Sequence, residues 1–129
     1  MTPDEKREFV RGNHHAVLIT RRADGRVQTS PIVCGVHEDG RIAISVTENR
    51  AKTKNLQRDN RGTLCVLNDR FFGEWTQIDG PAEIIPMPEA LPGLKTLYRG
   101  VAGEHPDWDD FAAAMERERR VLLLISIDE

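Results

Sequence analysis

Short apolar runs of strand character dominate this chain, and turns separate them at close intervals. His15-Ala-Val-Leu-Ile-Thr20 is the first run, and Ala23-Asp24-Gly25-Arg26 reads as a hairpin turn after it. Val27 to Val36 forms a second strand, interrupted at Pro31 in the manner of a bulge or an edge. Glu38-Asp39-Gly40 turns the chain again, before a third strand from Arg41 to Thr47. Gly62 to Leu67 reads as a central strand, and Trp75 to Ile85 as another, bent at Asp79-Gly80-Pro81. Val121 to Ile125 is a wholly apolar run, which predicts a buried strand.

Helix signals lie between these runs. Thr2, Pro3 and Glu5 make a capping box, so a short helix is expected to run to about Arg11. A second helix is expected from an Asn49 cap to about Asp59. Prolines 86, 88 and 92 mark a loop before two more helices. Leu94, Leu97, Tyr98 and Val101 make one apolar stripe at helical spacing, and Trp108, Phe111, Ala112 and Met115 another, with Asp107 and Asp110 at the cap of the second. The expected order is helix, three strands, helix, two strands, two helices, strand. Hairpin spacing argues for antiparallel pairing, and six strands in so short a chain favour a small barrel with flanking helices. The class is mainly β with added α, in one domain spanning 1–129.

Composition narrows the function classes. With 129 residues there is enough chain for one core without disulfides or a structural metal. The net charge of −3 argues against nucleic acid as a partner. No apolar run approaches the roughly 20 residues of a membrane span, and the charged opening MTPDEKREF is no signal peptide. Cys34 and Cys65 sit in separate strand-like runs and read as buried free thiols of a cytoplasmic protein.

One local charge imbalance changes the picture. Residues 50–61 hold five bases (Arg50, Lys52, Lys54, Arg58 and Arg61) against the single acid Asp59. Three of these bases crowd the start of the expected helix, where each costs roughly 0.3–1 kcal/mol against the helix dipole. Free backbone N–H groups already point outward there, and Ser45, Thr47 and Thr53 bracket the turn with hydroxyls. Cations, hydroxyls and free amides together suit a phosphate, so a phosphorylated small molecule is the expected ligand.

Other chemistry is not advertised. There is no GxxxxGK[ST] or GxGxxG phosphate loop, no CxxC, HxH or HExxH metal spacing, and no GxSxG nucleophile turn. No metal site is expected, and the sequence names no catalytic side chain. If the protein is an enzyme, a cofactor carries the reaction. Trp75 opens its strand after Phe71-Phe72-Gly73-Glu74, where it could be core, or offer a flat face to a ring or to a second subunit.

Several of these residues resemble one family. Thr29-Ser30-Pro31, then Ser45-Val46-Thr47-Glu48-Asn49-Arg50-Ala51-Lys52-Thr53-Lys54-Asn55-Leu56, then Trp75 and Gly80, are similar to the split-barrel flavin and deazaflavin oxidoreductases, the superfamily of pyridoxamine 5'-phosphate oxidase. The likeness extends to its actinobacterial F420-dependent branch. There an R-A-K-T-[RK]-N-L helix start precedes a segment like Leu97-Tyr98-Arg99 through Asp110.

The resemblance implies a six-stranded antiparallel split β-barrel of the FMN-binding type, forming a homodimer with cofactor sites at the subunit interface. It places the cofactor phosphate on Arg50 and Lys52, with Ser45, Val46, Thr47 and Thr53 around the phosphate or ring. It runs Gln28, Ser30 and Ile32 along the ring, and brings Trp75 in from the other subunit. Pro31 departs from the pattern, standing where some relatives carry a polar residue. The implied activity is hydride transfer from coenzyme F420 to an organic acceptor. The alternatives are an FMN-dependent oxidase or reductase of the pyridoxamine phosphate type, and a non-catalytic binder of the deazaflavin or a tetrapyrrole.

Overall fold

The computed structural model describes residues 1–128. Its strands are β1 (His15–Arg21), β2 (Val27–Val36), β3 (Ile42–Thr47), β4 (Arg61–Leu67), β5 (Trp75–Ile85) and β6 (Arg120–Ile125). Its helices are α1 (Pro3–Gly12), α2 (Ala51–Arg58), α3 (Leu91–Ala102) and α4 (Trp108–Arg117). The strands close into a barrel in the order β1-β2-β3-β6-β5-β4, and every neighbouring pair is antiparallel. The mainly β class, the antiparallel barrel and the flanking helices all follow the expectation from sequence.

Period-two patterning decides which side chains face inward. Ala16, Leu18, Cys34, Ile42, Ile44, Val46, Leu64, Val66, Ile78, Val121, Leu123 and Ile125 fill the barrel. Two strands bend to serve both halves. β2 pairs with β1 over Val27–Val33 and with β3 over Cys34–Val36. β5 pairs with β4 as far as Pro81 and with β6 from Ala82. Gly80 permits the second bend, because a Cβ there would lie 1.9 Å from the Ser126 carbonyl oxygen.

Each helix covers one part of this barrel. α1 buries Val10, and α2 buries Leu56, in the barrel core, and Phe9 packs against it. α3 and α4 lay Leu94, Leu97 and Phe111 over Ala43, Leu122 and Leu124, the outward side chains of β3 and β6. The outward face of β1, β4 and the first half of β5 keeps a different character. Val17, Ile19, Cys65 and Leu67 are only half-buried there, and Trp75 is exposed. No helix among the described residues is long and apolar enough to cross a membrane.

Three local expectations are corrected. Arg50, not Asn49, occupies the cap position of α2, and no side chain caps that helix. Pro92 lies inside the first turn of α3, where a missing N–H removes no helical bond. Cys34 is fully buried as expected, but Cys65 points outward and is only half-buried.

Candidate functional site

The barrel is split along one seam. The Cys34 amide donates to the His14 carbonyl, so alternate residues from Gln28 to Cys34 turn their backbone groups toward β1. Thr29, Pro31 and Val33 turn theirs the other way, toward β3, yet pairing with β3 begins only at Cys34 opposite Ile44. On β3 the same alternation directs Val46 toward β6 and leaves Ser45 and Thr47 facing the seam. Pro31 therefore sits at an unpaired edge position, where its missing N–H costs no ladder bond. The backbone of Thr29 and Val33 on β2 and of Thr47 on β3 turns toward this seam.

The turn from β3 into α2 closes one end of this seam. The Thr47 carbonyl accepts from the Arg50 amide at 3.1 Å and from the Thr53 hydroxyl at 2.9 Å. Asn55 anchors the helix from below, donating through Nδ2 to Thr20 Oγ1 at 3.1 Å and to Gln28 Oε1 at 3.2 Å. With Thr53, Asn55 and Leu56 turned into the barrel mouth, Lys52 is held on the side that faces the seam.

A cavity of about 490 Å³ opens there, between the seam and the helices that cover the barrel. Pro31, Ile32 and Val33 form one wall, and Leu97, Tyr98, Val101, Phe111 and Met115 the apolar roof. Ser45, Lys52 and Arg120 form the polar end. A predominantly apolar space of this volume with polar groups gathered at one end suits an organic ligand.

Partial burial pushes the Lys52 ammonium below the ordinary lysine pKa, and the like charges of Arg50 and Arg120 add to the effect. Among the described residues, no acid pairs with Arg50 or Lys52. The α2 start thus brings together cations that no described residue neutralises.

The sequence-derived site residues divide sharply. Arg50, Lys52, Ser45 and Thr47 gather around the seam and the α2 turn. Ile32 lines the cavity while also packing on the barrel core. Val46 points into the core and Thr53 is fully buried, so neither side chain is free for a ligand. Gln28 and Ser30 face inward, because they stand opposite Thr20 and Leu18 on β1; Gln28 already accepts from Asn55. The outward residues Pro31 and Val33 replace them as the wall of the cavity. Trp75 lies on the far, uncovered face and does not line this cavity.

Arg120 was missed by sequence reasoning. It stands just before the apolar run of β6 and directly opposite Thr47 in the ladder, a pairing that only the strand register reveals. Tyr98, Phe111 and Met115 were read as core stripes, and each also lines the cavity.

Solved structures share this architecture. The conserved hypothetical protein Rv2991 from Mycobacterium tuberculosis aligns over 100% of this chain and 82% of its own, with a TM-score of 0.80 and 23% identity. An F420 reductase aligns over 95% of this chain and 92% of its own, with a TM-score of 0.71 and 18% identity. HutZ, the heme storage protein from Vibrio cholerae, aligns over 99% of this chain and 90% of its own, with a TM-score of 0.71 and 12% identity. At these identities the likeness concerns the fold. The family model for pyridoxamine 5'-phosphate oxidase matches residues 2–129, and with the split barrel and its cationic seam in place, the chain belongs to that family.

Proposed function

We propose that this protein is an oxidoreductase that binds a phosphorylated deazaflavin, coenzyme F420, in the seam cavity and reduces a small organic acceptor. The observation that carries the reading is Lys52, without an acid partner among the described residues, at the polar end of a largely apolar cavity of about 490 Å³, with the like charge of Arg50 close to it at the start of α2. The residues fit such a cofactor. Cations and the Ser45 hydroxyl suit a phosphoryl group, the edge amide of Val33 suits a ring heteroatom, and the apolar roof suits a planar ring.

Bound there, the deazaflavin supplies the hydride. The chain's own contribution is placement and electrostatics. Lys52 and Arg50 hold the anionic end, the rigid edge of β2 sets the ring plane, and Leu97, Val101 and Phe111 keep water from one side. The uncovered outward face of β1 and β4, with Trp75 and Val33 exposed beside it, supports a homodimer whose second copy completes the site.

Two alternatives share this cavity. FMN in place of F420 would use the same anion contacts. The likeness to HutZ favours a second reading, a binder that holds a tetrapyrrole through its carboxylates without catalysis. Titration of the purified protein with F420, FMN and heme decides among them. The proposal expects tight F420 binding, weakened roughly 10- to 150-fold in both Arg50→Ala and Lys52→Ala, together with anaerobic reduction of at least one acceptor by the reduced cofactor. Binding that is unchanged in both variants would end the phosphate-site reading. Preferential heme binding without acceptor reduction would replace it with the storage reading.

A further inference from the structure

We propose that Arg120 is a third anion-binding residue of the seam cavity, working with Lys52 on a phosphoryl group and held in position by Glu118. This rests on the reading of the cavity as a cofactor site. Nothing in the R-A-K element points to it, because Arg120 lies almost seventy positions away and reaches the cavity only through the β3–β6 register.

The local backbone is arranged to deliver this side chain. Arg119 adopts a left-handed conformation, with φ at 57°, a backbone state that residues with a side chain rarely hold. That conformation reverses the chain between α4 and β6. Two contacts hold the reversal to the turn carrying Arg50: the Glu48 amide donates to the Arg119 carbonyl at 3.0 Å, and the Arg119 guanidinium pairs with the Glu48 carboxylate. The α4–β6 junction and the β3–α2 turn are thereby stapled together, and the two cation-bearing segments share one wall. Arg120 then emerges on the outward side, opposite Thr47 and beside the cavity.

Its own contacts leave it available. Nε and Nη2 of Arg120 both reach one oxygen of Glu118, at 3.1 and 3.0 Å. This orients the guanidinium while Nη1 has no partner among the described residues. A pair two residues apart at the surface contributes little to stability by itself. Arg120 also sits close enough to Lys52 to disfavour its charge, and no acid pairs with Lys52 among the described residues. An anion entering the cavity meets the Lys52 ammonium, and the free Nη1 of Arg120 can reach toward it. A planar fork beside a point charge is the donor set that grips two phosphoryl oxygens at once.

The test uses paired chromophores that differ only in the anionic end: FMN against riboflavin, and F420 against its phosphate-free deazaflavin core. Arg120→Gln is expected to weaken the phosphorylated member roughly 10- to 150-fold while leaving the phosphate-free member within about threefold. Arg120→Lys is expected to recover most of the loss, which a purely structural role would not produce. Glu118→Gln is expected to give a smaller loss in the same direction. Equal affinity of Arg120→Gln and the wild type for the phosphorylated member overturns the role of Arg120 and leaves the cofactor reading intact. If the wild type binds neither chromophore, the cofactor reading falls, and inorganic pyrophosphate becomes the probe, followed through the Lys52 ammonium resonance. A pyrophosphate-induced shift lost in Arg120→Gln and retained in Arg120→Lys keeps the anion site. No shift in the wild type overturns it. Should Arg120→Gln fail to fold, Arg120→Met and Glu118→Gln carry the comparison, and undiminished phosphorylated-member affinity in both overturns the proposal.

Discussion

The Thr53 hydroxyl donates to the Thr47 carbonyl across the turn that joins β3 to α2, at 2.9 Å. The same carbonyl accepts the Arg50 amide, so one oxygen ties the strand end to both the cap and the first turn of the helix. Thr53 is wholly buried, which makes its side chain a brace for the turn that carries Arg50 and Lys52. Thr53→Val keeps the shape and removes the bond. It is expected to lower stability by roughly 0.5–1.5 kcal/mol, because the carbonyl retains its second donor. Thr53→Ser is expected to restore the stability. Denaturant melts of the two variants check this, and cofactor affinity should follow stability in the same order.

Lys52 gives the site a pH dependence of definite sign. Burial, then Arg50 and Arg120, hold its pKa below the ordinary 10.5, so the unfolded chain binds this proton more tightly than the folded one. Stability contributed at this residue therefore rises with pH across the interval between the folded value and 10.5. A bound anion reverses the preference by favouring the charged ammonium. Anion affinity is expected to be greatest below the lowered pKa and to fall as pH rises through it, earlier than for a free lysine. Affinity measured from pH 7 upward checks the trend, and Lys52→Ala should abolish its alkaline limb. Arg120→Gln should move the Lys52 titration part of the way back toward 10.5, burial remaining in force.

Much of this fold was legible because its signals are local. The capping box at Thr2 and Glu5 forms as read, and Gly80 bends β5 where the Asp-Gly-Pro sequence says it should. The cation cluster at Arg50 and Lys52 was legible for the same reason, since its charges contradict the dipole of their own helix. What stayed hidden depends on register. Whether Gln28 or Thr29 faces outward turns on a one-residue shift in the β1–β2 ladder, and the strand's composition on both faces is mixed. Arg120 could not be linked to Thr47 without knowing that β3 and β6 are neighbours. Asn49 looked like the better cap by residue type, but the turn closes through Thr47 and Thr53 and leaves the cap position to Arg50.

Gly80 is expected to tolerate no side chain. Its missing Cβ faces backbone, with the Ser126 carbonyl oxygen at 1.9 Å and its carbon at 2.8 Å, so a flexible neighbour cannot move aside. The segment that would be displaced is held to β5 by the Ser126 amide on the Pro81 carbonyl and the Asp128 amide on the Asp79 carbonyl, both at 2.9 Å. Gly80→Ala should cost about 1–3 kcal/mol or more, read as a drop of several degrees in Tm. Gly100→Ala, where nothing lies within 4 Å of the added carbon, serves as the control and should leave Tm unchanged or slightly raised.

The uncovered face of β1 and β4 gives the last expectation. Val17 stands between Pro31 of β2 and Cys65 of β4 in the ladder, on an outward surface where both Val17 and Cys65 are only half-buried among the described residues. A second copy covering this surface would bury Val17 and Cys65 together, and Val17→Glu would then place an unpaired charge at the centre of the contact. Sedimentation is expected to show a dimer for the wild type and a monomer for Val17→Glu, with unchanged far-ultraviolet circular dichroism. The two thiols supply an internal check on the same samples. Burial pushes the Cys34 thiol up to about 12, so it should resist alkylation at pH 8 in both proteins. Cys65 should be protected in the wild type and react in Val17→Glu. Rapid alkylation of Cys65 in the wild type would show this face open to solvent, and the second copy would have to sit elsewhere.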